Sequence, residues 1–277
     1  MAGRAPAWAA AALLALLACM PGAHARDGRA EGAATASPPV RLHLEHRGGE
    51  LLAWADNRLA GPVEVMLYAD GAAVAAQPDL PARAGVPARG RALVARIDAA
   101  SAAGAGFRLE SVPGRPGARP RDVEYAWPLG IARADITQGW GGRASHGTAA
   151  DRHAVDLAAP VGTPVLAARD GTVMEVEAGF RGGAFDPALH GRANFVRVLH
   201  DDGTMALYAH LDAGAVSVRE GERVRRGQRI GFSGNTGYSA GPHLHFVVQA
   251  NRGMRLESIP FRMFGPAGIL RFRDPEI

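Results

Sequence analysis

Apolar and polar residues alternate from Val40 onward, first in Val40-Arg41-Leu42-His43-Leu44 and then in Glu50-Leu51-Leu52-Ala53-Trp54. A third run, Val63-Glu64-Val65-Met66-Leu67-Tyr68, is closed by Asp70-Gly71. Side chains on a strand alternate between faces, so a period of two predicts strands rather than helices. The runs recur about every ten residues with turn residues between them. That spacing predicts a small β-sandwich over residues 40–110, with Leu44, Trp54, Val63, Val65 and Leu67 in its core. Residues 111–122, rich in Pro, Gly and Arg, read as a linker. Beyond them, Gly-punctuated apolar runs occupy 163–168, 172–176, 194–199, 204–210, 228–232 and 243–248. Turns such as Arg169-Asp170-Gly171 and Asp201-Asp202-Gly203 join them, and no stretch holds a helical period. The expected fold class is therefore all-β: the sandwich, then a second strand-rich domain over residues 123–250. Residues 251–277 lack clear periodicity and are expected to pack on that domain as a tail.

Composition agrees with this picture. The 36 glycines among 277 residues suit many short strands joined by tight turns. The net charge of +4 is spread along the chain. Basic residues do not cluster with aromatics, so nucleic-acid binding is not expected. Arg4, the apolar run Ala7 to Met20 and Ala23-His24-Ala25 have the layout of a signal peptide over residues 1–25, cut before Arg26. That layout predicts export to the periplasm or cell envelope. The apolar run is too short to predict a membrane span. Leu16-Leu17-Ala18-Cys19 is also similar to a lipobox, in which Cys19 would be lipidated and anchor the chain to a membrane, and both readings stand. Residues 26–39, rich in Ala, Gly and Pro, predict a disordered lead-in. Cys19 is the single cysteine, so disulfides and thiolate metal ligands are not expected.

The candidate chemistry lies in the second half. His243-Leu244-His245 precedes Phe246-Val247-Val248, and on a strand both imidazoles project from one face while Leu244 points to the core. Two such neighbours can divide the work of binding a metal and moving protons. His210 ends the run Met205 to His210. Asp156 interrupts the apolar stretch Ala154 to Ala159, where a lone carboxylate is costly unless paired or bound to a cation. A catalytic zinc takes three protein ligands, a count that His245, Asp156 and one further histidine would meet. Tyr208 is expected on the same strand face as His210, either as a hydrogen-bond donor behind the site or as a core phenol. His43, His46 and His200 read as surface or turn residues. His190 belongs to a surface insertion, Gly179–Arg192, that could border a groove, and Asn194 follows it as a candidate for orienting the site.

Several segments together resemble the lysostaphin/LytM-type zinc metallopeptidases. They are Val161-Gly162-Thr163-Pro164-Val165, Ala168-Arg169-Asp170-Gly171-Thr172-Val173, Tyr208-Ala209-His210-Leu211, Gly231-Phe232-Ser233-Gly234-Asn235-Thr236-Gly237 and Gly241-Pro242-His243-Leu244-His245-Phe246. The resemblance covers about residues 125–250. It implies a β-sheet groove, one zinc ion and hydrolysis of peptide cross-links in peptidoglycan, with peptidoglycan peptides as the partner. It further implies His245 and Asp156 as metal ligands, with His243 and His210 as the acid–base pair. One position departs from the pattern: Arg152 stands where the family commonly has a ligand histidine four residues before its aspartate. His146 and His153 are the candidates for the missing ligand. His153, three before Asp156, would face away on a regular strand unless a bulge intervened. His146 lies in a loop free of that parity and is the favoured candidate. Two other functions remain in view: a catalytically silent member of the same fold that binds peptidoglycan or activates another hydrolase, and a carrier domain. The second would rest on Val218–Gly231, which lacks the lysine a biotin or lipoate carrier requires.

Overall fold

The structure, a computed structural model, describes residues 38–71, 73–265, 268–270 and 272. The leader with its two readings, Cys19 and residues 26–37 of the lead-in lie outside the described residues. Seven strands build the first part: β1 (Val40–Arg47), β2 (Glu50–Asn57), β3 (Val63–Asp70), β4 (Ala76–Gln77), β5 (Ala82–Val86), β6 (Arg91–Asp98) and β7 (Gly106–Pro113). They form two antiparallel sheets, β1-β2-β6-β4 and β5-β3-β7. The alternation in β3 places Val63, Val65 and Leu67 inside, against Ala53 and Ala55 of β2 and Val94 and Ile97 of β6.

Three expectations are corrected here. Leu44 is 37% exposed, because β1 is an edge strand whose residues beyond Leu42 are uncovered. Trp54 faces outward while its small neighbours Ala53 and Ala55 take the core. Its indole N–H donates to Glu45 Oε2 (3.1 Å), and the Arg91 guanidinium lies 4.3 Å over its ring, so an amphipathic ring is satisfied at the surface. Residues 111–113 are strand rather than linker, because β3 finds a partner in β7 along its whole length, from Val63 opposite Pro113 to Asp70 opposite Gly106. The remaining stretch, 114–122, is pinned at Gly114 N–H to Pro62 O (2.8 Å) and Arg119 N–H to Asp202 O (3.0 Å).

The second part comprises β8 (Glu124–Ala126), β9 (Ile136–Gln138), β10 (Val155–Ala158), β11 (Pro164–Leu166), β12 (Gly171–Glu177), β13 (Gly183–Ala184), β14 (Asn194–Leu199) and β15 (Met205–Leu211). It continues with β16 (Arg223–Val224), β17 (Arg229–Phe232), β18 (Gly237–Tyr238), β19 (His243–Asn251), β20 (Leu256–Ser258), β21 (Arg262–Gly265) and β22 (Gly268–Ile269). A central antiparallel sheet runs β16-β12-β14-β15-β19-β10-β9, with β20 on β19. One face carries Leu157, Val196, Val198, Tyr208, Leu244 and Phe246 into the main core. Phe246 sits at the middle of it, with ring centroids 5.1 Å from both Tyr208 and Phe261 and 6.1 Å from Tyr125. Burying such rings contributes roughly 2 kcal/mol each. Strand β21 pairs in parallel with β8, and Phe261, Met263 and Phe272 join the same core, so the C-terminal segment is woven into the fold.

The opposite face of the sheet has two tenants. At one end, Met174, Leu199 and Met205 pack into the core of the sandwich, and Ala60 N–H donates to Met174 O (3.0 Å). At the other end the face is an open groove, which holds the candidate chemistry.

Candidate metal centre

The register of three strands sets the groove floor. On β10 and β19, Asp156 stands opposite His245 and Ala158 opposite His243, while Ala209 of β15 lies on the other side of His245. Leu244 between the two histidines is fully buried in the core. Alternation therefore turns His243, His245 and Asp156 to one side, as the sequence pattern predicts. The loop between β9 and β10 folds over this side. Gln138, paired with Asp156 across β9 and β10, directs the loop through its side-chain amide. Its Oε1 accepts from Ala144 N–H (3.0 Å), and its Nε2 donates to Ser145 Oγ (2.7 Å) and Asp156 Oδ2 (3.2 Å). His146 is thereby lowered into the cluster with no exposed surface, its Nδ1–H donating to Gly139 O (2.7 Å).

The remaining nitrogens converge on a single carboxylate oxygen. Asp156 Oδ1 lies 3.2 Å from His146 Nε2, 2.9 Å from His245 Nδ1 and 3.7 Å from His243 Nε2. Burial would push the Asp156 carboxyl up, but the bonds from His146 and His245 outweigh it and hold it far below the usual carboxylate range. For His245, burial opposes the charge, yet contacts with Asp151 and Asp156 push it up to about 9. One donor atom each from His146, Asp156 and His245 lie within 4.8 Å of one another. Two imidazoles and a carboxylate are nitrogen and oxygen ligands of the kind zinc prefers, in the number a catalytic site uses. The backbone carbonyl at His146 Nδ1 fixes that ring's tautomer and leaves Nε2 facing the cluster. The donor set fits the ion.

His153 is elsewhere. Its Nδ1 meets Ser258 O and Oγ (both 3.1 Å), and its ring lies edge-on to Trp140 with centroids 5.2 Å apart. Ser258 ends β20, beyond β19, and Trp140 lies in the loop after β9, so His153 is held outside the cluster of His146, Asp156 and His245.

His210 reaches the groove by an irregularity. Opposite β14, Asn194 pairs with Leu211 and Phe195 with Ala209, so His210 is an extra residue in its strand. Its φ is +61°, a left-handed conformation unusual for a residue other than glycine. The bulge breaks the parity expected between Tyr208 and His210. Tyr208 stays in the core, its hydroxyl accepting from Ala168 N–H (2.7 Å), and His210 turns to the groove beside His243. The two rings are 4.5 Å apart, centroid to centroid. His210 Nδ1 donates to Thr236 O (2.7 Å), and His243 Nδ1 to Gly241 O (2.8 Å). Burial first, then the neighbouring His243 and His245, pushes His210 down to about 3.

The groove is a cleft of about 980 Å³. One wall comes from the insertion, where β13 pairs in parallel with β18 and Tyr238 stacks on Phe185 (4.7 Å) and His190 (4.0 Å). Gly183 permits that pairing, since a Cβ there would lie 2.1 Å from Asn235 O. Asn194 ties Phe180 and Leu211 rather than the histidines. Three contributors escaped the sequence reading. Gln138 and Asp151 lie in or beside an irregular loop, and Ser239, whose Oγ is 3.2 Å from His243 Nδ1, lies in a Gly-rich turn. An acidic residue among the polar positions after His146 is the only sequence signal for Asp151.

The sequence profile of Peptidase family M23 matches residues 150–256. Over that segment the chain is similar to M23 peptidases. Asp156, His210, His243 and His245 fall inside the matched segment, and His146 joins them from outside it. Similar proteins over this M23 segment include the DD-carboxypeptidase/endopeptidase Mpg of Neisseria meningitidis serogroup B, 43% identical over 97 residues (35% of this chain, 20% of Mpg). The peptidoglycan DD-endopeptidase ShyA of Vibrio cholerae is 39% identical over 99 residues (36% of this chain, 20% of ShyA). The glycyl-glycine endopeptidase ALE-1 of Staphylococcus capitis is 40% identical over 102 residues (36% of this chain, 25% of ALE-1). The alignments span a fifth to a quarter of the length of these relatives.

Proposed function

We propose that the protein is an exported zinc metalloendopeptidase that hydrolyses peptide cross-links of bacterial peptidoglycan. The observation that carries this reading is the convergence of His146, Asp156 and His245 at the floor of a groove in a domain similar to M23 peptidases. Peptidoglycan enters the proposal through the relatives, two of which are named for DD-endopeptidase activity and one for glycyl-glycine cleavage. Export follows from the leader-like N-terminus and from the location of such a substrate.

His146, Asp156 and His245 would hold the ion. Zinc bound there supplies a Lewis acid for the scissile carbonyl and makes a water nucleophilic near neutral pH. The chain's own contribution is proton handling and positioning. His210, held neutral at pH 7, offers Nε2 as an acceptor because Nδ1–H is committed to Thr236 O. His243 offers Nε2 on the same side, with Nδ1–H committed to Gly241 O. One Nε2 takes a proton from the attacking water, and the imidazolium so formed gives that proton to the departing amine. The cleft walls hold an extended peptide across the floor.

The test combines metal content with digestion of purified sacculi, read by mass spectrometry of the released peptides. His245→Ala and Asp156→Ala are expected to lose both zinc and activity. His243→Ala is expected to keep zinc and lose about 10²–10⁴-fold in turnover. Zinc retained by His245→Ala but lost by His243→Ala would reverse the assigned roles.

A further inference from the structure

Each histidine of the cluster uses only one ring nitrogen there, and what the other nitrogen meets decides how well the ring is aimed. For His146, His210 and His243 the second partner is a backbone carbonyl, which cannot move independently of the fold. His245 is the exception. Its Nδ1 faces Asp156, and its Nε2 faces the carboxylate of Asp151, with Oδ1 at 3.7 Å. Asp151 lies behind the ring, away from the three converging donors.

The geometry points to Asp151 as a positioning residue for the metal ligand His245, an inference that rests on the zinc reading above. A carboxylate behind the imidazole keeps the proton on Nε2, leaves the Nδ1 lone pair for the ion, and makes the ring a stronger donor. The fixing of its side chain supports a role of this kind over that of a solvated acid. The carboxylate is held, because Thr148 Oγ1 donates to its other oxygen (2.8 Å) and its side chain is 29% exposed.

The backbone that presents Asp151 is clamped as well. Gln249, four residues after His245 on β19, donates to Ala150 O (3.0 Å) and accepts from Arg197 (2.6 Å), which also bonds Glu175 (3.0 Å). Ser258 N–H donates to Ala149 O (2.8 Å), and His153 N–H donates to Ser258 Oγ (3.1 Å). The turn carrying Asp151 is therefore fixed to the strand that carries the histidine it faces. His153, a ligand candidate in the sequence, helps to hold this turn.

The experiment measures zinc affinity of the full protein by competition with a chromophoric chelator, together with thermal unfolding of the zinc-free form. Asp151→Ala is expected to weaken zinc binding by about 10–100-fold. Asp151→Asn, which keeps an acceptor oxygen for Nε2–H, is expected to recover part of the loss. Thr148→Val leaves the carboxylate but frees its second oxygen, so a smaller weakening is expected, and this variant decides the matter where Asp151→Ala does not fold. Wild-type affinity in the folded variants overturns the inference, as does a lower melting temperature with zinc affinity unchanged. Wild-type protein that takes up no zinc would overturn the metal reading itself, and with it this role for Asp151.

Discussion

His245 and Asp156 stand directly opposite each other on adjacent antiparallel strands, with Nδ1 2.9 Å from Oδ1. Without metal the pair is a buried ion pair, with Asp151 at the other ring nitrogen. These contacts outweigh burial and push His245 up to about 9, so at neutral pH a metal must displace a proton to use Nδ1. Below about 9, proton and metal compete for the same nitrogen, and zinc affinity is expected to fall as pH is lowered. At pH 7–8 zinc binding should release about one proton. Calorimetric titrations in buffers of different ionisation enthalpy measure that number, and no release would remove His245 from the ligand set.

His210 adopts its left-handed backbone for the sake of where its ring goes. In a strand, glycine is normally worse than alanine, because it gives up more conformational freedom on folding. At this bulge the order should invert: His210→Gly is expected to be more stable than His210→Ala by roughly 1 kcal/mol, with activity lost in both. Thermal unfolding of the two variants checks this. Alanine melting higher would mean that the bulge relaxes to regular strand once the ring is gone.

A buried histidine outside the groove, His200, gives an acid sensitivity of its own. Burial dominates over its Nδ1–H bond to Asp170 O (2.7 Å), and its value is pushed down to about 4. The folded value lies below the unfolded one, so the unfolded chain takes up the proton first. The His200 contribution is unchanged above pH 6.5, and stability is lost through this group as pH falls from there to about 4. The gap between 6.5 and about 4 corresponds to roughly 3 kcal/mol by the bottom of that window. Denaturant unfolding at pH 7 and pH 4.5 should show this slope in the parent and a shallower one in His200→Gln. Identical slopes would place the acid sensitivity in other groups.

What was legible in the sequence was whatever obeys a fixed period. The facing of His243 and His245, and the inward run Val63, Val65, Leu67, follow from counting by two. Counting failed where the backbone inserts an extra residue, as at His210, so that His210 and Tyr208 do not share the face that counting by two gives them. It failed at Trp54 for another reason, since hydrophobicity does not reveal that Arg91 and Glu45 will satisfy an indole in water. The choice between His146 and His153 lay outside periodicity, because a loop has none. Parity argued only against His153, and the structure brings His146 to Asp156 through Gln138. Asp151 could not be found from the pattern at all, because its contact with His245 exists only once β19, β20 and the turn at 148–151 have been clamped together.

The sandwich and the groove occupy opposite ends of one sheet face, and this alters what a shortened chain would be. A cut after Pro113 looks like a clean separation in the sequence, but it passes through a shared apolar core. It would leave Met174, Leu199 and Met205 facing water on the same surface as the groove. Newly exposed apolar surface of that kind invites self-association. Lost activity in such a fragment would then report aggregation beside the groove, rather than a substrate-binding duty of the missing strands.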